Sequence, residues 1–146
     1  MRHVGIYVQD IDKLEKFYVE AFGMYVICSK AADANELLDE LLDCNGSKIF
    51  TTKLVTEYGK QIGTGDMVEL VKVQGSQAEA VQHTIYEPGT AHVAFGITDM
   101  EDTLQRILRL GGARKTRVRQ MENGNKLCFC TDPEGNWIEL IERGAK

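Results

Sequence analysis

Apolar and polar positions alternate in the same way at two places along the chain. Residues 3–24 read HVGIYVQDIDKLEKFYVEAFGM and residues 92–113 read HVAFGITDMEDTLQRILRLGGA. In each, a short β-type run comes first, Val4/Ile6/Val8 or Val93/Phe95/Ile97, as expected for a strand with one buried face. An aspartate follows, Asp10 or Asp99, suited to accept from the free N–H groups at a helix start. Apolar residues then recur at helical spacing: Ile11, Leu14, Phe17/Tyr18 and Ala21/Phe22 in one copy, Met100, Leu104 and Ile107/Leu108 in the other. Gly23 and Gly111–Gly112 supply the positive φ that ends each helix. His3 and His92, Val4 and Val93, Val8 and Ile97, and Asp10 and Asp99 are each 89 positions apart (92 − 3). The chain is internally duplicated.

Each copy continues as strands. The pattern predicts them at 24–29, 48–57 and 66–73 in the first half, and at 114–120, 126–131 and 136–142 in the second. The last two are joined by Thr131-Asp132-Pro133-Glu134-Gly135-Asn136, where proline fixes φ and glycine permits a positive one. The closing strands also match, MVELV at 67–71 against WIELI at 137–141. Each half is therefore βαβββ, an α+β plan with module one at about 1–75 and module two at about 90–143. His3 to Glu69 spans 66 positions (69 − 3), whereas His92 to Glu139 spans 47 (139 − 92). Residues 31–46 account for most of the excess and read as a short helical insertion with Leu37, Leu38, Leu41 and Leu42 as its apolar face. Residues 74–89 join the halves and end in the breaker pair Pro88-Gly89.

Composition narrows the class. With 146 residues, 43% hydrophobic and 27% charged, the chain fits one domain of two half-modules that folds without a staple. No apolar run reaches the roughly 18 residues of a membrane span. Asp10 and Asp12 interrupt any signal-peptide core at once, so a cytoplasmic protein is expected. A net charge of −5 argues against a nucleic-acid partner. The one basic cluster, Arg114, Lys115, Arg117 and Arg119, is read as a solvated strand or loop, with an anionic substrate tail as the alternative. Cys28, Cys44, Cys128 and Cys130 lack CxxC spacing and read as buried reduced thiols. His83 has no counterpart in the repeat and reads as a surface or structural residue.

The repeat also carries chemistry. His3 and His92 open equivalent strands, and Glu69 and Glu139 interrupt equivalent apolar strands. A lone carboxylate on a strand can simply face solvent; two at matching positions, each with a matching histidine, call for one explanation. If each half curls its strands around a concave face, the four side chains reach one point. Two carboxylates brought together repel and one takes up a proton. A divalent cation removes that penalty, and neutral imidazoles complete an N2O2 set suited to Zn, Ni, Co, Mn or Fe(II). Positions left open for water point to catalysis.

The initial histidine of each strand–helix unit, the repeat, the Asp132-Pro133-Glu134-Gly135 turn and the ending GNWIELIE together resemble the vicinal oxygen chelate superfamily, which holds glyoxalase I, bleomycin resistance and dioxygenase-like proteins. HVAFGITD and DPEGNWIEL are most similar to its glyoxalase I branch. The resemblance covers nearly the whole chain apart from the insertion. It implies two βαβββ modules forming a curved, mostly antiparallel eight-stranded sheet. It also implies one divalent metal ion held by His3, Glu69, His92 and Glu139, and a homodimer acting on a small-molecule substrate. The implied reaction is that of a lyase or isomerase, proton transfer through a metal-chelated enediolate, with Glu139, and Glu69 opposite it, as proton shuttles. Bacterial glyoxalase I-like sequences hold glutathione with an arginine and an asparagine where this chain has Tyr7 and Val73. Glutathione as the thiol partner is therefore not implied. Three other activities fit the superfamily: an acyl-CoA epimerase, an Fe(II) dioxygenase using His3, His92 and Glu139, and a protein that binds an antibiotic or other small molecule.

Overall fold

A computed structural model of the chain describes residues 2–43, 46–75 and 83–144. Nine strands and four helices lie among these residues. The chain divides into two compact units. One gathers Met1–Val19 with Gly23–Glu79, and the other gathers Glu20–Phe22 with Ala80–Lys146. They follow the duplicated halves closely.

The first unit carries a four-stranded sheet. β1 (Val4–Tyr7) pairs in parallel with β4 (Met67–Val73), which pairs antiparallel with β3 (Ile49–Val55), and β3 pairs antiparallel with β2 (Tyr25–Asp33). Helix α1 (Ile11–Phe22) starts where Asp10 accepts from the Lys13 N–H at 3.0 Å and ends where Gly23 takes φ 66°, the left-handed conformation glycine adopts without steric cost. Glu15 of α1 accepts from the Ser29 and Thr52 hydroxyls at 2.8 and 3.2 Å. That contact sets α1 over the sheet face that carries Thr52, Leu54, Val68 and Leu70, all buried. A register shift in β2 between Cys28 and Ala31 is tied down at Lys30. Its Nζ meets Asp12 of α1 at 2.6 Å and its N–H reaches the Thr52 hydroxyl.

The second unit repeats the plan. β5 (His92–Ile97) pairs in parallel with β9 (Trp137–Glu142), and β9 pairs antiparallel with β8 (Lys126–Thr131). Helix α4 (Met100–Arg109) is capped by Asp99, which accepts from the Asp102 N–H at 2.9 Å. Glu142 of β9 accepts from the Met100 N–H at 2.6 Å, which places α4 over the face of Ile138 and Leu140. Asp132, itself buried, organises the turn into β9. It accepts from the backbone N–H groups of Glu134 and Asn136 and from the Asn136 side chain, at 2.8–3.0 Å, while Gly135 takes φ 93°.

Four expectations are revised. The strands form two hydrogen-bonded sheets, neither closed, in place of one eight-stranded sheet. The strand expected at 114–120 is two short pieces, β6 (Ala113–Arg114) and β7 (Arg119–Gln120), both bonded to β8; between them the Lys115 and Thr116 N–H groups both donate to the Phe129 carbonyl, which interrupts the ladder. β3 ends at Val55, and a helix not anticipated, α3 (Glu57–Ile62), follows, capped by Thr56. The insertion does hold a helix, α2 (Glu36–Leu42), but β2 runs on to Asp33 and α2 buries no residue, Leu37 and Leu41 being exposed.

Candidate functional site

The parallel pairings β1–β4 and β5–β9 place the candidate residues in the same relation twice. Gly5 faces Glu69 across one ladder and Ala94 faces Glu139 across the other. His3 and His92 stand two residues before those small partners, so each histidine shares a sheet face with the opposing carboxylate. Burial repeats as well. Ile6 and Phe95 are buried on the helix side, whereas His3, Gly5, His92 and Ala94 are exposed on the other. Val68–Leu70 and Ile138–Leu140 bracket their glutamates with buried side chains.

His3 Nε2 lies 3.2 Å from Glu69 Oε2, and His92 Nε2 lies 3.4 Å from Glu139 Oε2. The histidine side chains are about two-fifths exposed (39% and 40%) and the glutamates about one-fifth (17% and 20%), so both pairs are open to a ligand from solvent. Two donors that each sit about 2.0–2.2 Å from a shared divalent cation stand roughly 3 Å apart at ordinary coordination angles. Each pair has the chemistry and the spacing of half a ligand set. No group of three or more metal-donor side chains is found among the described residues.

The two pairs differ in their neighbours. Lys53 of β3 is the register partner of Glu69, and its Nζ lies 3.2 Å from Glu69 Oε1, leaving Oε2 to His3. The matching partner of Glu139 is Phe129, whose ring packs edge-on against His92 with centroids 5.4 Å apart. Trp137 packs against Phe129 at 6.3 Å, and Lys115 Nζ sits 5.9 Å from the Trp137 ring centroid. Sequence reading missed Gly5, Ala94, Lys53 and Phe129. The signal for Lys53 was present as one cation in the apolar run IFTTKLV, but only strand register connects it to Glu69.

Tyr7 and Val73 lie on the Glu69 face, two and four residues from Gly5 and Glu69 in their strands; Tyr7 is exposed. Cys128 and Cys130 are buried free thiols, and burial pushes Cys130 up to about 12. Cys28 is free and half-buried, and Cys44 lies outside the described residues. His83 is exposed; its carbonyl accepts from the Trp137 indole N–H at 2.8 Å and its ring faces Glu87 at 3.2 Å. Arg114, Lys115, Arg117 and Arg119 are all exposed. Among the described residues no helix is long and apolar enough to cross a membrane.

Paired βαβ modules that display a His–Glu pair on each open sheet face define a class. Residues 1–140 match the family model of the Glyoxalase/Bleomycin resistance protein/Dioxygenase superfamily, and the chain belongs to that superfamily. It is 31% identical over 144 residues to a "Probable lactoylglutathione lyase" of Vibrio parahaemolyticus, an alignment covering 96% of this chain and 88% of that protein. It is 25% identical to a "Lactoylglutathione lyase" of Schizosaccharomyces pombe, covering 98% of this chain but 47% of that longer protein. In fold it is similar to a glyoxalase family protein of Bacillus cereus, with a TM-score of 0.86 at 22% identity and coverage of 99% and 94% of the two chains.

Proposed function

We propose that the chain is a divalent-metal-dependent lyase or isomerase of the glyoxalase I type, acting in the cytoplasm as a homodimer on a small carbonyl compound or thiol adduct. The observation that carries this reading is the repeated His–Glu pair, the same two residue types in the same parallel register, 3.2 and 3.4 Å apart. His3, Glu69, His92 and Glu139 would hold the cation, two from each unit. Bound there, it would supply Lewis-acid stabilisation of negative charge on adjacent substrate oxygens.

The chain's own residues would do the rest. Glu139, whose second oxygen meets no cation among the described residues, would take a proton from the carbon beside the carbonyl and return it to the neighbouring carbon. Glu69, held by His3 and Lys53, would serve from the opposite side. The chain is proposed to pair with a second copy of itself, because open sheets leave edges that another chain can cover. The Schizosaccharomyces pombe lyase supports this: this chain spans about half its length, leaving room there for a second module.

The test is the metal content of protein purified without chelator, in the parent and in Glu69→Gln and Glu139→Gln, with folding checked by circular dichroism. Stoichiometric metal in the parent and its loss in both variants are expected, together with isomerisation of a 2-oxoaldehyde–thiol adduct by the parent alone. Metal retained in Glu69→Gln but lost in Glu139→Gln would favour the three-ligand dioxygenase arrangement. A parent that binds no added divalent cation would refute the reading.

A further inference from the structure

The chain's net charge is −5, yet four of its cations fall within six residues, Arg114, Lys115, Arg117 and Arg119. None of the four forms an ion pair with another described residue, although the chain pairs other cations freely, as at Lys30, Lys53, Arg106 and Lys126. Like charges left together repel, so leaving them unpaired costs stability unless something anionic answers them.

The segment is fixed to the strand beside the site. The Lys115 and Thr116 N–H groups both donate to the Phe129 carbonyl, at 2.9 and 3.2 Å, and the Phe129 N–H donates to the Thr116 hydroxyl at 2.9 Å. Phe129 is the register partner of Glu139 and touches the His92 ring. Register also separates the four cations by face. Residues directly opposite on paired strands share a face. Arg119 faces Leu127, two residues from Phe129, and so lies on the face of Glu139. Lys115 reaches the same face, where its Nζ sits over Trp137. Arg114 faces Cys130, which pairs with buried Ile138, and so belongs to the opposite, helix-covered face. Arg117 lies between the two strands, exposed.

We propose that Lys115, Arg117 and Arg119 form a clamp for a phosphorylated part of the substrate, held on the sheet face that carries His92 and Glu139. Three cations within five residues match a compact polyanion. The guanidinium fork suits phosphate oxygens, and the ammonium adds a mobile point charge. Glutathione is a poorer match, because its two carboxylates are widely separated and it also carries an ammonium. On the His3–Glu69 face the positions Tyr7 and Val73 bring no charge at all. The clamp thus assigns recognition of the anionic end to the second unit, and makes the substrate a phosphate-bearing carbonyl compound or thioester. Its place in catalysis rests on the proposed function; its ability to bind an anion does not.

The experiment is calorimetric titration of the full, metal-depleted chain with inorganic pyrophosphate, and with glutathione, at roughly 150 mM salt so that exposed charges farther apart than the screening length contribute little. Pyrophosphate should bind, and Lys115→Gln and Arg119→Gln should each weaken it about tenfold, the scale of one charge-assisted hydrogen bond at a partly exposed site. Arg114→Gln removes the same charge from the other face and should change affinity less than twofold. Equal weakening by Arg114→Gln would show diffuse attraction and overturn the clamp. So would glutathione binding as tightly as pyrophosphate, or no pyrophosphate binding in the millimolar range. A chain that binds pyrophosphate in the expected way but never holds a metal would refute the proposed reaction and leave the clamp standing.

Discussion

Gly5 is the sharpest probe of the open sheet face. It sits in β1 opposite Glu69, and a Cβ built on it meets no atom within 4 Å. Its backbone lies outside the left-handed region, so an L side chain costs no strain there. The second unit has already made the change, since Ala94 occupies the matching place opposite Glu139. Gly5→Ala should therefore stabilise the chain by about 0.4–1 kcal/mol, through the reduced freedom of the unfolded state. For a chain of this size that corresponds to a rise of about 1–4 °C in Tm. Gly5→Leu adds a longer side chain on the same face, between His3 and Tyr7 and across from Glu69. It should leave Tm within about 3 °C of the parent while lowering bound metal or turnover at least tenfold, because the bulk fills the space a ligand needs. Thermal denaturation followed by circular dichroism, with metal analysis of the same samples, reads both effects. A fall in Tm for Gly5→Ala would show that the space is packed. Full metal and full activity in Gly5→Leu would show that the face is not the site.

Two further outcomes follow from single interactions. Asp132→Ala leaves two backbone N–H groups and the Asn136 amide without their shared, buried acceptor in a partly buried turn, and should cost about 1–3 kcal/mol in chemical denaturation; a cost under about 0.5 kcal/mol would show that water replaces the carboxylate. Glu142 is held below the usual carboxylate range by Lys126 at 2.6 Å, then by the Met100 N–H at the start of α4. A depressed folded-state value gives stability that is present above the unfolded pKa of about 4.3 and lost as pH falls through the folded one. Glu142→Gln should thus lower Tm at pH 7, with the gap to the parent closing as the solution is acidified below about pH 4; a gap constant with pH would refute the linkage.

The parts of this structure that could be read from the sequence are those where one residue type has one local use. Asp10 and Asp99 cap helices because a carboxylate before an amphipathic run has free N–H groups to accept from, and both do so. Gly23 ends α1 because it tolerates φ 66°. The repeat marked His3 with Glu69 and His92 with Glu139 as equivalent positions; the parallel ladders are what put each histidine beside its glutamate. What could not be read depends on contacts between strands distant in sequence. The break of 114–120 into β6 and β7 depends on which residues of β8 they bond, and the exposure of Leu37 and Leu41 depends on what lies beside α2. The leucines have perfect helical spacing, yet periodicity states only that a face exists, not that anything covers it.

Duplication makes the differences between the halves more informative than their likeness. A repeat that kept both ladders, both caps and both His–Glu pairs could have kept the residue across from each carboxylate too. It did not: Lys53 stands opposite Glu69 and Phe129 opposite Glu139. A lysine at 3.2 Å competes with any other cation for Glu69 and fixes its second oxygen. An aromatic ring offers Glu139 no such partner, and instead turns its edge to His92 and joins Trp137 in an apolar wall. Glu139, whose second oxygen meets no cation among the described residues, also stands beside the strand that anchors the cations of residues 115–119. On the proposed reading, anchored charge and the freer acid fall in the second unit, and the carboxylate balanced by a lysine falls in the first. Two halves of common plan thus surround equivalent carboxylates with unlike neighbours, and strand register determines which neighbour each one meets.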